Sequence, residues 1–132
     1  MMLTIFASQL NAQTDKGLIR RGNKQYKQGN FSEAITDYKK SLDKRYNPKA
    51  EFNLGDAFYN QKNFEEATKS FSQVTEHKTS KDIEAQAFYN LGNSYMEQEK
   101  YGEAFDSYKK SLKLNPDDED TRYNLEYARW KM

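Results

Sequence analysis

The chain has 132 residues, 36% of them hydrophobic, 31% charged and 14% aromatic, with a formal net charge of +1 and no cysteine. That length makes one compact domain the default, and the near-neutral charge supplies no global field for nucleic acid or an anionic membrane. Disulfides, cysteine-ligated zinc and thiol chemistry are excluded, and no apolar run approaches the length of a membrane span.

Residues 1–13 stand apart. "MMLTIFASQLNAQ" is apolar and uncharged, unlike everything after it. It reads as a leader, the remnant of a secretory signal whose apolar core ends at a small-residue site, Leu10-Asn11-Ala12 before Gln13. A basic start is missing and the segment is short, as a start codon assigned too late would leave it. The alternative is a loose arm, or one that docks on the domain.

From residue 14 the pattern is helical throughout. Apolar residues at i, i+3 and i+7 recur as Phe31, Ala34 and Tyr38, as Phe64, Ala67 and Phe71, and as Tyr101, Ala104 and Tyr108. Six helices are predicted in three pairs. The first helices cover about 15–28, 48–61 and 82–98, and the second about 31–45, 64–77 and 101–114. Gly29-Asn30, Lys62-Asn63 and Glu99-Lys100 mark the turns within pairs, where Gly and Asn tolerate a left-handed cap. Asn47-Pro48 and Asn115-Pro116 end two of the second helices, because a residue before Pro avoids the helical region. Ser80 or Asp82 is the expected N-cap of the fifth helix. Residues 117–131 form one more helix, opened by the acidic run 117–120, which suits the positive end of the helix dipole better than it suggests a cation site. His77, the sole histidine, falls at a helix end among polar neighbours and reads as solvated surface. The lysines of the two "YKKSL" stretches, 38–42 and 108–112, read as outer surface.

The three pairs are copies of one unit. A Gly stands twelve residues before an Ala in each: Gly22 and Ala34, Gly55 and Ala67, Gly92 and Ala104. The glycines recur after 33 and then 37 residues. Gly55 and Ala67 are expected to be small because the two helices of a pair cross closely there. In the first copy Arg21 and Gln25 take the slots of Leu54 and Phe58, so its outer face is expected to be polar. Tyr123-Asn124-Leu125 restarts the first-helix pattern, but Glu126 replaces the Gly. No close second helix fits there, so that helix is expected to close the array.

Leu54, Gly55, Phe58, Phe64, Ala67 and Phe71, with Leu91, Gly92, Tyr95, Tyr101, Ala104, Tyr108 and Pro116, resemble the tetratricopeptide repeat (TPR) family over residues 15–118. The resemblance implies an all-α superhelical solenoid of three helix-turn-helix repeats, about 15–47, 48–84 and 85–118, plus a capping helix at about 119–131. The whole domain would run from 14 to 132. It further implies a non-catalytic module without cofactor, binding partners in a concave groove. The ending "NPDDEDTRYNLEYAR" is also similar to TPR proteins of bacterial aerotolerance operons. With the leader, this points to a periplasmic or cell-envelope location, or a cytoplasmic one if residues 1–12 are no signal.

In this family the groove is lined by residues six and two before the Gly and one and five after it. The steps 4, 3, 4 put them on one stripe. Here they are Lys16, Arg20, Asn23 and Lys27; Lys49, Asn53, Asp56 and Asn60; and Gln86, Asn90, Asn93 and Glu97. The last helix adds Asn124, with Asp120, Tyr127 and Lys131. Asn53, Asn90 and Asn124 form a ladder of one amide per layer, able to hold the backbone of an extended segment. Charge falls from three cations in the first layer to one anion in the third, which favours acidic residues of a ligand near the first repeat. The Lys/Asn clamp by which chaperone-binding members hold a terminal carboxylate keeps its two Asn, Asn23 and Asn53. Its basic slots hold Ile19, Gln86 and Asn90, so Hsp70- or Hsp90-tail recognition is rejected. The sequence thus reads as an adaptor for an extended protein segment, without nucleic-acid binding or a membrane span. The alternative is a self-association module building homo-oligomers through its terminal helices.

Overall fold

A computed structural model describes residues 14–132; the leader assigned to residues 1–13 lies outside them. Seven helices follow in chain order: α1 (Asp15–Lys27), α2 (Phe31–Lys44), α3 (Pro48–Asn60), α4 (Phe64–Glu76), α5 (Lys81–Glu97), α6 (Tyr101–Leu114) and α7 (Glu119–Lys131). Each packs on the next, and the first helices of successive repeats also touch, α1 on α3 and α3 on α5. The result is an all-α solenoid with no strand among the described residues.

The helix ends have local causes. Gly29, Lys62 and Glu99 occupy the same place in the three intra-repeat turns, and all are left-handed, with φ of 79°, 62° and 58°. Asn30 and Asn63, expected at these turns, instead stand at the N-caps of α2 and α4, where the Asn63 side chain accepts from Glu66 N–H. Asn47 caps α3 with Pro48 in the first turn, Ser80 caps α5, and Asp118 caps α7 by accepting from Thr121. The acidic run therefore opens a helix, as its dipole favours. Among the described residues no group of three or more His, Cys, Asp or Glu could hold a metal ion. No helix there is long and apolar enough to cross a membrane.

The glycine of each repeat is small for a reason more specific than a close crossing of backbones. An added Cβ would lie 2.7 Å from the Tyr38 ring at Gly22, 2.7 Å from Phe71 at Gly55 and 2.5 Å from Tyr108 at Gly92. The close partner of the Gly is thus the ring sixteen residues on, which lies flush on the bare helix surface. Ala34, Ala67 and Ala104 are fully buried beside these rings, and the rings are themselves at most 1% exposed. Phe52 meets Phe71 edge-on at 5.5 Å, and Tyr26 and Tyr59 meet Phe31 and Phe64 in the same way. Thin layers are thus sealed by large aromatic areas, which explains how a charged composition still buries a core.

The two ends differ from the middle. On α1, Arg21 replaces the buried leucine and turns to α2, forming a two-pronged ion pair with the buried Asp37 at 2.7 and 3.0 Å. Ser70 and Ser107 hold the slot of Asp37 in the later repeats and are equally buried. On α7, Leu125 and Ala128 are buried against α6, whereas Tyr123 and Trp130 are 73% and 76% exposed. Glu126, in the Gly slot, is exposed. His77 is also exposed, although its ring stacks on Tyr46 at 3.9 Å. Lys39, Lys40, Lys109 and Lys110 are exposed on α2 and α6.

Candidate functional site

The stripe along α1, α3, α5 and α7 has two kinds of position. The outer residues Lys16, Arg20, Lys27, Lys49, Asn60, Gln86 and Glu97 vary in charge, and all are exposed. (Arg20 holds the slot of Asn53 and Asn90, two residues before the Gly, yet is exposed.) The inner residues Asn23, Asn53, Asp56, Asn90, Asn93 and Asn124 are half-buried. These inner residues pair across the layers.

Asn53 donates to Asn23 Oδ1 at 3.1 Å, Asn90 to Asp56 Oδ1 at 3.2 Å and Asn124 to Asn93 Oδ1 at 3.3 Å. Each member of the ladder reaches back to the residue after the Gly of the preceding repeat. Asn therefore has a structural reason to sit inside these helices despite its poor propensity. In the outer layers a third group joins: the Tyr38 hydroxyl donates to Asn23 Oδ1 at 2.6 Å, and the Tyr108 hydroxyl to Asn93 Oδ1 at 2.6 Å. Burial pushes both phenols far above their ordinary range, so both stay neutral donors. Asn124 also donates to the Tyr89 hydroxyl.

Sequence reasoning missed these tyrosines as partners of the stripe. The signal was nonetheless present: Tyr stands sixteen residues after Gly where Asn follows the Gly, and Phe stands there in the repeat that has Asp.

The amide orientation of the middle layer follows from chemistry. An ionised carboxylate only accepts, so Asn90 must turn its NH2 to Asp56 and its oxygen away. Among the described residues nothing donates to the side-chain oxygens of Asn53, Asn90 or Asn124. Three carbonyl oxygens thus remain along the stripe, one per layer.

Two cavities repeat this geometry. One, of about 180 Å³, is lined by Asn23, Tyr26, Lys27, Tyr38, Asn53 and Asp56. The other, of about 170 Å³, is lined by Tyr59, Asn93, Met96, Glu97, Tyr108, Asn124 and Tyr127. Lys27 of the first corresponds to Glu97 of the second, so the reversal of charge along the stripe appears cavity by cavity. Ile19, Gln86 and Asn90, in the slots expected to be basic in a carboxylate clamp, carry no charge.

A stack of helix pairs with a bare glycine under each ring defines a helical repeat solenoid. Residues 19–82 and 85–118 match sequence models of the tetratricopeptide repeat. The chain belongs to the tetratricopeptide repeat family. Among solved structures it is similar to the first TPR of Spaghetti (RPAP3) bound to the HSP90 peptide SRMEEVD, at 26% identity and a TM-score of 0.78, over 90% of this chain and 93% of that one. The Arabidopsis OM64 TPR domain superposes with a TM-score of 0.79 at 18% identity, over 92% and 99% of the two chains. Pseudomonas aeruginosa PilF does so with 0.82 at 21% identity, over 90% of this chain and 54% of that one. At such identities the last two show the fold alone. The curated proteins contain no match to this sequence.

Proposed function

We propose that the chain is a non-catalytic adaptor that binds an extended protein segment along α1, α3, α5 and α7. The observation that carries this is the row of three side-chain oxygens, on Asn53, Asn90 and Asn124, that receive no donor among the described residues. Such a row accepts peptide N–H groups whatever the side chains of the ligand. Lys16, Arg20 and Lys27 steer acidic residues of the ligand to the first repeat. The Spaghetti neighbour, which binds an HSP90 peptide, supports the groove as a peptide site. With Ile19, Gln86 and Asn90 in the basic slots, a peptide of that kind would find no cationic clamp for its end here. The leader-like residues 1–12 carry the further proposal of an envelope location, tested by fractionating the source cell.

The test is a selection of binders from a random linear peptide library, followed by titration against two variants. Replacing Asn53, Asn90 and Asn124 by Ala leaves ligand N–H groups unpaired, a loss of about 1–3 kcal/mol each where they are buried. Neutralising Lys16, Arg20 and Lys27 slows association and flattens its salt dependence, with less change in dissociation. Unchanged binding by the triple Asn variant, with its fold intact, overturns the proposal.

A second reading, self-association, has one observation in its favour. Tyr123 and Trp130 are the most exposed large aromatic side chains among the described residues, and they lie seven residues apart on one face of α7. A second copy covering that face would quench Trp130 in a concentration-dependent way, independent of salt. A monomer by sedimentation at all concentrations removes this reading.

A further inference from the structure

The middle layer lacks a donor that its neighbours have. In layers one and three the residue after the Gly is Asn, and its oxygen receives both a tyrosine hydroxyl and the next layer's amide. In layer two the ring is Phe71, which has no hydroxyl, and the acceptor is the carboxylate of Asp56. Among the described residues that carboxylate receives one neutral bond, from Asn90 at 3.2 Å. No ion pair reaches it within 4.0 Å among the described residues. A carboxylate offers about four acceptor positions, and an unpaired charge taken out of water is costly. Relative to the layers on either side, layer two thus carries one charge more and one donor fewer.

The carboxylate is not sealed in. It lines the open cavity of about 180 Å³ with Tyr26, Tyr38, Asn23 and Asn53. These supply phenol and amide oxygens, which suit a cation. Lys27 also lines the cavity, but it is exposed and forms no ion pair with Asp56. We propose that this cavity is a cation subsite of the groove, in which Asp56 takes a lysine or arginine side chain of the bound segment. The bound segment therefore carries a basic residue facing the second repeat, next to the acidic residues drawn to the first. Its charge pattern mirrors that of the stripe and sets its direction along the solenoid. Desolvation holds the Asp56 carboxyl up at about 6, the direction expected of a carboxylate awaiting a counter-charge.

This inference rests on the groove reading, and its test separates the two. Peptides selected from a random linear library at neutral pH are measured against the wild type, Asp56→Asn and Phe71→Tyr. Asp56→Asn installs the residue that the sister layers carry, and Phe71→Tyr supplies the hydroxyl that they have. The expected result is enrichment of Lys or Arg at one peptide position. Affinity then falls about ten- to a hundredfold in Asp56→Asn, the range of a charge-assisted hydrogen bond. Phe71→Tyr weakens binding in the same direction. A peptide with norleucine at the basic position binds wild type and Asp56→Asn alike, which ties the loss to the cation and not to refolding. Peptides with no basic preference, bound equally by Asp56→Asn, overturn the subsite and leave the groove standing. Failure to select any peptide, or indifference to the triple Asn variant, overturns both.

Discussion

Gly92→Ala adds one methyl group to a site with no room for it. The new Cβ would lie 2.5 Å from Cε1 of Tyr108 and 2.7 Å from Cδ1, about 1 Å inside carbon–carbon contact distance. The ring is 1% exposed, and its hydroxyl is bonded to Asn93 at 2.6 Å, so it cannot retreat freely. Overpacking costs about 1–3 kcal/mol, and a displaced hydroxyl about 1 more. Against this, Ala is a better helix former than Gly by about 1 kcal/mol. The net expectation is a loss of about 1–3 kcal/mol. Gly102 provides the internal control: it lies in the next helix, and nothing stands within 4 Å of its added Cβ. Gly102→Ala should therefore gain up to about 1 kcal/mol. Urea unfolding followed by far-ultraviolet circular dichroism separates the two variants. Gly55→Ala falls between them, since Phe71 has no hydroxyl bond to lose. Equal stability of Gly92→Ala and Gly102→Ala would refute the ring-on-glycine account of the repeat.

Three further outcomes follow from the same structure. The Asp56 carboxyl titrates at about 6 in the fold against 3.8 in the unfolded chain, so the folded state binds the extra proton between those values. Its contribution to stability is therefore full below about pH 4 and is lost as pH rises through 6, about 2–3 kcal/mol in all. Asp56→Asn should gain on the wild type by that amount between pH 4 and 7, and a pH-independent gap between their urea midpoints would contradict the assignment. Arg21→Ala strands the buried Asp37 without its cation; with Arg21 itself 43% exposed, the expected loss is about 2 kcal/mol, read from thermal melts at neutral pH. Lys62→Gly relieves a left-handed backbone at φ 62° and should be neutral to stabilising by up to about 1 kcal/mol, whereas Lys62→Val should destabilise.

Local chemistry made most of the helical frame readable in advance. Pro48, Pro116, Gly29 and the capping side chains act within four or five residues of themselves, and the i, i+3, i+7 apolar spacing states which face is buried. The helix pairs, their register and the polar first face of α1 all follow from such short-range terms. The partner of the Gly did not. Gly55 and Ala67 are both small, and the chain alone does not say that the Gly lies under Phe71 and not against Ala67.

The stripe along α1, α3, α5 and α7 was legible only as residue types. One-letter patterns placed Asn53, Asn90 and Asn124 on one stripe, and their shared face was apparent. Their bonds, however, run to residues 30, 34 and 31 positions earlier. Such contacts depend on how one repeat is rotated on the last, which no local propensity encodes. The same holds for Asp56. Its exchange for Asn and the exchange of Tyr for Phe71 are visible as two separate letters fifteen residues apart. Only the packing of α3 against α4 and α5 makes them one event, a half-buried charge missing a donor. The helices, their pairing and the family could be read from the chain of residues alone, because those rest on periodicity and caps. Which polar atoms of the stripe are engaged and which are left over was settled by the packing of the repeats, because hydrogen bonds depend on distance and direction in space.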